Sequence, residues 1–504
     1  MTETTAPTEV VLGIDCSTTG CKAAVFDREG RCLFIGRAAY ELHNPEPDGW
    51  EQNPEDWWRA LAVACRAAVE GAGTVRVCAL AITHQRETFV VADEDVRPLG
   101  PAWVWMDKRC APELDRATFD RDAFAAATGK PVCTTPSLFK LLGWRKRHGT
   151  TGRRPLVVDV HAWLVQGLIG RWVTSTASAD PTGMVRLADE QWAKDQVAAV
   201  LGGWPRVNYD IELVRPGTVV GTLAEDAAEH LGLEPGVTVV AGAGDGQCAG
   251  LGAGVLGEGV AYLNLGTAVV AGTATGEPIT DDAFRTLFAA RPDGGFILET
   301  DLQGGTFTLS WLFETLLGHT PGEIPARRRA LEEAASPLPP GSEGLFVVPY
   351  WNGVMNPYWD DAASGTIVGL RGHHGPAHFY RAILEGIAFE QKLHFEGVEK
   401  ALGRALADVV VIGGGGRSDL WCQILADVLE RPMTRLAVEE ATARGAAMLA
   451  AVGHGWFSRV TEVAARWQTV EPQTFTPTEE GAAAYRSMQA RYRAIYPSLQ
   501  LPQP

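Results

Sequence analysis

Two short bends carry the residue types best suited to holding an anion. Ser17, Thr18 and Thr19 lie in Gly13-Ile14-Asp15-Cys16-Ser17-Thr18-Thr19-Gly20, and Gly266 and Thr267 lie in Asn264-Leu265-Gly266-Thr267-Ala268. Each bend interrupts an apolar run, so each reads as strand, tight turn, strand. Such a turn aims backbone N–H groups and short hydroxyls at one point, which suits a phosphate. Taken singly, each is more commonly an ordinary hairpin. Taken together, half a chain apart, they point to two halves gripping one polyphosphate.

Carboxylates stand next to these bends. Asp15 closes the first strand, with Lys22 just beyond the turn. A carboxylate there can hold Mg²⁺ or its water shell, since Mg²⁺ prefers oxygen ligands; the alternative is a turn Asp bonded to its own backbone. Asp245, in Gly242-Ala243-Gly244-Asp245-Gly246-Gln247, falls where an apolar strand gives way to a helix. Glycines on both sides let a ligand approach, so Asp245 can take a proton from a hydroxyl attacking phosphorus; a helix-capping Asp is the competing reading. Arg86 and Glu87 offer a donor fork beside an acceptor, the pair that vicinal hydroxyls need, and Trp103 and Trp105 can stack on a carbon chain. A surface ion pair and core aromatics are the commoner roles of such residues. Gly413-Gly414-Gly415-Gly416, before Arg417-Ser418-Asp419, lets backbone come close to a flat ring such as adenine, or is a loose turn.

Two repeated sets of elements would position these groups. In the first half, strands over 10–15, 22–27 and 31–38 precede a helix over 54–72, with Asn53 as N-cap and Pro54 at the first helical position. A strand over 75–83 then runs into His84-Gln85-Arg86-Glu87. In the second half, a hairpin over 259–275 and a strand over 296–300 precede a helix over 376–402. A strand over 409–412, the glycine loop and a helix over about 418–430 follow. Both halves read βββαβ, the order of a ribonuclease-H-like or actin-like core rather than of a sheet that alternates strand and helix from the start. The boundary is expected in the glycine-rich stretch 250–259.

Composition narrows the partners. The chain has 504 residues, 46% of them hydrophobic, enough for two to four domains at roughly 150 residues each. Lys and Arg total 44 against 61 Asp and Glu; that balance opposes a broad nucleic-acid footprint or an anionic membrane surface. The nine cysteines form no Cys-x-x-Cys pair, Met1 to Glu9 has no signal-peptide pattern, and no apolar run reaches the roughly 18 residues of a membrane span. A reducing cytoplasm is expected. No Gly-x-x-x-x-Gly-Lys-Ser/Thr occurs, which excludes a P-loop. Gly252-Ala253-Gly254-Val255-Leu256-Gly257 matches a dinucleotide fingerprint but does not follow a strand, so it counts as accidental.

Together these segments resemble the FGGY carbohydrate kinases, the family of glycerol kinase and xylulokinase. The likeness runs from Gly13-Ile14-Asp15 through Gly49-Trp50-Glu51-Gln52-Asn53-Pro54 and the Asp245 segment. It continues through Gly365-Thr366-Ile367-Val368-Gly369-Leu370 to Gly414-Gly415-Gly416-Arg417-Ser418. The resemblance implies an α/β fold of two ribonuclease-H-like (actin-like ATPase) domains, with duplicated βββαβα-type cores and a cleft between them. They are expected at 1–252, on the substrate side, and 253–504, on the adenosine side. It implies ATP and Mg²⁺ as cofactors, Asp245 as general base and Asp15 as the metal residue. Arg86, Glu87, Trp105, Asp245 and Gln247 would bind the substrate. Ser17, Thr18, Thr19, Lys22, Gly266, Thr267, Gly414, Gly415 and Ser418 would bind ATP and its phosphates.

The acceptor is then a small ketose or polyol, with no nucleic acid and no membrane as partner; a homodimer is compatible with the sequence. His84-Gln85-Arg86-Glu87-Thr88 resembles the glycerol kinase segment, with His in place of Asn. An aromatic expected after Thr128-Gly129-Lys130-Pro131 falls at Thr135, whose smaller side chain would widen the pocket. Other segments look closer to pentulose kinases, so a four- or five-carbon acceptor is expected over glycerol. An actin-like ATPase or assembly protein is the reading of another class. The Arg86, Glu87 and Trp105 set argues against it.

Overall fold

Hairpins seed both halves of the molecule. The computed structural model describes residues 6–93, 95–149, 155–202, 210–436, 440–467 and 472–499. Strands β1 (Thr8–Cys16), β2 (Gly20–Phe26) and β3 (Cys32–Ala39) form an antiparallel meander. Helix α1 (Pro54–Ala72) starts where Asn53 accepts the Glu55 N–H and Pro54 needs no donor. It leads into β4 (Val75–His84), which pairs parallel to β1. With β5 (Val219–Thr222) and β6 (Thr238–Val240) the sheet reads β5-β6-β4-β1-β2-β3. A small four-stranded sheet, built on 51–52 ahead of α1 and on 89–92, 102–103 and 156–159 between β4 and β5, carries the segments around Glu87 and Trp105.

After α2 (Asp245–Gly252) the same plan recurs. Strands β7 (Val260–Leu265) and β8 (Val269–Thr275) form the hairpin. Next come β9 (Arg285–Phe288) and β10 (Phe296–Leu302), then α3 (Pro376–Leu402) and β11 (Asp408–Ile412), parallel to β7. Helix α4 (Asp419–Leu429), β12 (Met433–Arg435), α5 (Ala441–Gly453) and β13 (Gln473–Phe475) complete it. The sheet order is β9-β10-β8-β7-β11-β12-β13. Strand β10 is the third strand expected near 296–300. Strand β9 is an addition, paired antiparallel on the outer edge of β10 with Arg285 opposite Glu299.

The halves are interleaved at their joint. Helix α5 lies in sequence between β12 and β13 of the second sheet yet packs on β1, β4 and α2 of the first half. Two glycines permit this close approach. A Cβ at Gly13 would lie 1.8 Å from the Ala443 carbonyl oxygen, and one at Gly445 would lie 2.0 Å from that of Cys248. Alanine-rich α5 thereby buries Ala443, Ala446, Ala447 and Ala450 completely, in one core with Val11, Ala79 and Val240. Backbone-to-backbone contact of this kind fixes α2, and with it Asp245, relative to the first sheet.

Candidate active site

The two hairpin bends face each other across two adjoining cavities that share Asn264. The larger, of ≈ 950 Å³, is lined by Asp15, Lys22, Arg37, Gly413, Gly414, Arg417, Arg435 and Glu440, among others. The smaller, of ≈ 200 Å³, is lined by Thr18, Arg86, Glu87, Trp105, Thr135, Asp245, Gly266, Thr267, Arg285, Asp301 and Met355, among others.

Asp15 ends β1 in the larger cavity. Its Oδ1 is buried and has no hydrogen-bond partner among the described residues. Burial drives its pKa up to about 7 against the pull of Lys22, with Asp245 and Glu440 pushing the same way. Lys22 Nζ lies 2.7 Å from Glu440 Oε2, and Arg37 2.8 Å from Glu440 Oε1, so a residue of the second half ties down two cations of the first. In the first bend, Thr18 Oγ1 accepts the Trp105 indole N–H at 2.9 Å, joining the bend to the smaller cavity. Ser17 spends its hydroxyl on the Gly20 carbonyl at 2.9 Å, and Thr19 is exposed outside both cavities.

Asp245 stands at the first turn of α2 with its side chain 40% exposed. Its Oδ1 accepts the Gly246 N–H at 2.8 Å and lies 2.9 Å from Arg86 Nε. The flanking glycines do more than admit a ligand. A Cβ at Gly244 would lie 2.4 Å from Arg86 Cδ, and one at Gly246 would lie 2.6 Å from Glu299 Oε2. They therefore make room for a buried charge network. Arg86 NH1 donates to both oxygens of Glu299, at 2.8 and 2.9 Å, and Tyr262 donates to Glu299 Oε2 at 3.1 Å. Arg285 donates through Nε to Glu299 at 2.9 Å and through NH1 to Glu87 at 2.7 Å, and lies 3.5 Å from Asp301 Oδ2. Burial raises the Glu299 carboxyl, but Arg86 and Arg285 outweigh it and hold it below its ordinary value. Glu87 adopts φ +56, a strained conformation for a non-glycine residue, of the kind that clusters at functional sites.

Several expected residues fall outside the cavity walls. Gln247 is buried behind Arg86, its amide donating to the Ala177 carbonyl at 2.9 Å and its oxygen accepting from Arg86 at 3.4 Å. Trp103 is fully buried, with the Arg109 guanidinium 4.1 Å from its ring centroid, so it is a core residue. Gly414 lines the larger cavity, whereas Gly415 packs on Trp421, whose ring would lie 2.4 Å from an added Cβ. Ser418 caps α4 by accepting the Trp421 N–H at 3.1 Å and donates to Glu332 at 2.6 Å. Sequence reasoning passed over Arg285, Glu299 and Asp301. A signal was present: Glu299 and Asp301 are two apart in a strand whose other residues, Thr300 aside, are apolar, and period-two alternation puts them on one face.

The loop carrying Asp245 rests on a buried histidine. His161 Nε2 accepts the Gly242 N–H at 3.0 Å. Burial, helped by His84, lowers its pKa from 6.5 to about 3. Between those values the unfolded chain binds the extra proton, so stability rises with pH through this window and is lost as pH falls below 6.5. From pH 6.5 to 5.5 this group should cost the wild type about 1 kcal/mol that His161→Gln does not lose. Urea unfolding of both proteins at the two pH values checks this; parallel losses would contradict it.

Comparison with known proteins agrees with this architecture. The FGGY family of carbohydrate kinases matches through its N-terminal domain over residues 10–252 and its C-terminal domain over residues 261–454. A xylulose kinase of Bacillus subtilis is 29% identical, with 96% of each chain covered. A glycerol kinase of Aromatoleum aromaticum is 31% identical, covering 94% of this chain and 96% of its own. Among solved structures, xylulose kinase from Rhodospirillum rubrum superposes with a TM-score of 0.82 at 27% identity, covering 97% of this chain and 98% of its own. Fold and site therefore define a two-domain α/β phosphotransferase of the ribonuclease-H-like, actin-like kind. The chain belongs to the FGGY family of carbohydrate kinases, and ATP binding follows from that membership.

Proposed function

We propose that the protein transfers the γ-phosphate of MgATP to a primary hydroxyl of a four- or five-carbon polyol or ketose. One observation carries this reading: the half-exposed Asp245 carboxylate lines a small cavity of hydroxyl-binding groups that meets the larger cavity at Asn264. In this reading the domain at 1–252 forms the substrate and first phosphate side and the domain at 253–504 the adenosine and second phosphate side, with Arg285 and Asp301 of the latter also lining the acceptor cavity. Asp245 takes the proton of the attacking hydroxyl as its oxygen bonds to the γ-phosphorus. The bond from that phosphorus to the β–γ bridging oxygen breaks, and ADP leaves. Arg86 holds Asp245, and Glu87 and Trp105 orient the acceptor. Thr18, Gly266 and Thr267 face the transferring phosphoryl group, and Gly414 lies toward the adenosine. Enclosure between the bends keeps out water that would compete for the phosphate.

Mg²⁺ fits the residues present. The unpartnered, buried Oδ1 of Asp15 is the hard oxygen ligand such a cation takes, directly or through its waters. The cation's contribution is neutralisation of phosphate charge. No helix among the described residues is long and apolar enough to cross a membrane, and we assign the reaction to the cytoplasm, where MgATP is supplied.

Thr135 supports an acceptor longer than glycerol. It lines the smaller cavity at the position where the family resemblance expects an aromatic ring. ADP release with MgATP should therefore be followed across glycerol, erythritol, threitol, xylitol, ribitol, erythrulose, ribulose and xylulose. One four- or five-carbon compound should exceed glycerol in kcat/KM by roughly tenfold or more, the weight of about one well-placed contact. ADP release indifferent to every acceptor would overturn the reading.

A further inference from the structure

The smaller cavity contains one carboxylate that the arginine network leaves unfinished. Glu299 is saturated by Arg86, Arg285 and Tyr262. Glu87 accepts from Arg285, and Asp245 accepts from Gly246 and lies beside Arg86. Asp301 differs. It lines the cavity and is 7% exposed, its Oδ2 stands 3.5 Å from Arg285, and its Oδ1 makes no hydrogen bond among the described residues. An unsatisfied buried acceptor is costly, so the site is completed by a donor from outside the chain. A cation is disfavoured there by the neighbouring Arg285 guanidinium. A hydroxyl is neutral and donates.

Charge also restricts what can enter. Arg86 and Arg285, the two cations among the described residues that line the cavity, are both already committed to carboxylates, and three carboxylates of the described lining face the same space. An anionic acceptor would find no uncommitted positive partner among the described residues that line the cavity and would meet Glu87, Asp245 and Asp301. From this geometry we infer that Asp301, held by Arg285, accepts a hydrogen bond from a second hydroxyl of the acceptor, remote from the one phosphorylated. It thereby restricts the site to uncharged polyols and ketoses, excluding sugar acids and sugar phosphates. The inference rests on the kinase reading above and adds the residue that measures the acceptor's far end.

The test compares the best acceptor with its singly deoxygenated analogues, in the wild type and in Asp301→Ala and Asp301→Asn. In the wild type, one analogue other than that lacking the phosphorylated hydroxyl should show a KM raised roughly ten- to hundredfold, with kcat within about threefold, as for loss of a hydrogen bond to a charged group. Asp301→Ala should raise KM for the parent acceptor by the same factor and abolish the penalty on that analogue. Asp301→Asn, which keeps an acceptor oxygen, should recover most of the affinity. The corresponding sugar acid should not be phosphorylated. Equal KM for all such analogues in the wild type, or turnover of the sugar acid at a comparable rate, overturns the inference and leaves the kinase reading intact. The analogue series decides even if Asp301→Ala fails to fold. A wild type that phosphorylates none of the acceptors overturns the kinase reading, and this inference with it.

Discussion

Asp245→Asn should fold normally, bind both substrates and lose phosphoryl transfer by a factor of about 10²–10⁴, the contribution of a positioned general base. The side chain is 40% exposed at the cavity, so the substitution buries no new group. The amide keeps the size of the carboxylate and can still accept the Gly246 N–H, but it cannot take up the hydroxyl proton. Arg86 retains both oxygens of Glu299, so the network behind Asp245 stays assembled. The loss should therefore fall on kcat, with acceptor KM within about threefold and an unchanged melting temperature, the pattern of an interaction made mainly in the transition state. A coupled ADP assay beside thermal unfolding reads both quantities. A variant keeping a tenth or more of wild-type kcat would remove Asp245 from the role of base.

What the sequence disclosed was what is encoded locally. Helix α1 spans Pro54–Ala72 as expected because Asn53 and Pro54 both act within the first turn, and the two hairpins were legible because glycine and threonine mark their bends. The family's motifs likewise supplied Asp15, Asp245, Arg86, Glu87 and Thr135, all of which line the cavities. Side chains whose partners are distant in the chain were harder to read. Arg86 and Glu299 are 213 residues apart, and Arg285 and Glu87 are 198 apart, so no local pattern joins them. Strand β9 was passed over for a related reason: it is four residues long, and only its pairing with β10 makes it a strand. The glycines around Asp245 were legible as glycines, but their reason, the space taken by Arg86 and Glu299, was not. Ser418 and Gly415 lie in the glycine loop beside the larger cavity, yet one caps a helix and the other seats an indole ring.

The network that escaped local reading also carries a large stability effect. Glu299 is fully buried between two guanidinium groups, one from each half of the chain, with Arg86 at 2.8 Å and Arg285 at 2.8 Å. Glu299→Gln leaves two neighbouring buried cations without the carboxylate that separates them. Removing one partner of a buried ion pair typically costs about 3–5 kcal/mol, because the remaining charge is uncompensated in a medium that screens poorly. Urea unfolding should show a loss of that size, and activity should fall with it, since Arg86 also holds Asp245. A second substitution separates repulsion from simple loss of contacts. Arg285→Gln alone strips a partner from Glu299 and Glu87 and should be destabilising; in the Glu299→Gln background it also removes the repulsion between the two arginines and should cost less. The coupling expected for such a network is about 0.5–3 kcal/mol. Additive effects, or a loss below about 1 kcal/mol for Glu299→Gln alone, would mean that water or rearranged side chains compensate the arginines. The two halves would then be held together mainly by the packing of α5 on β1 and α2.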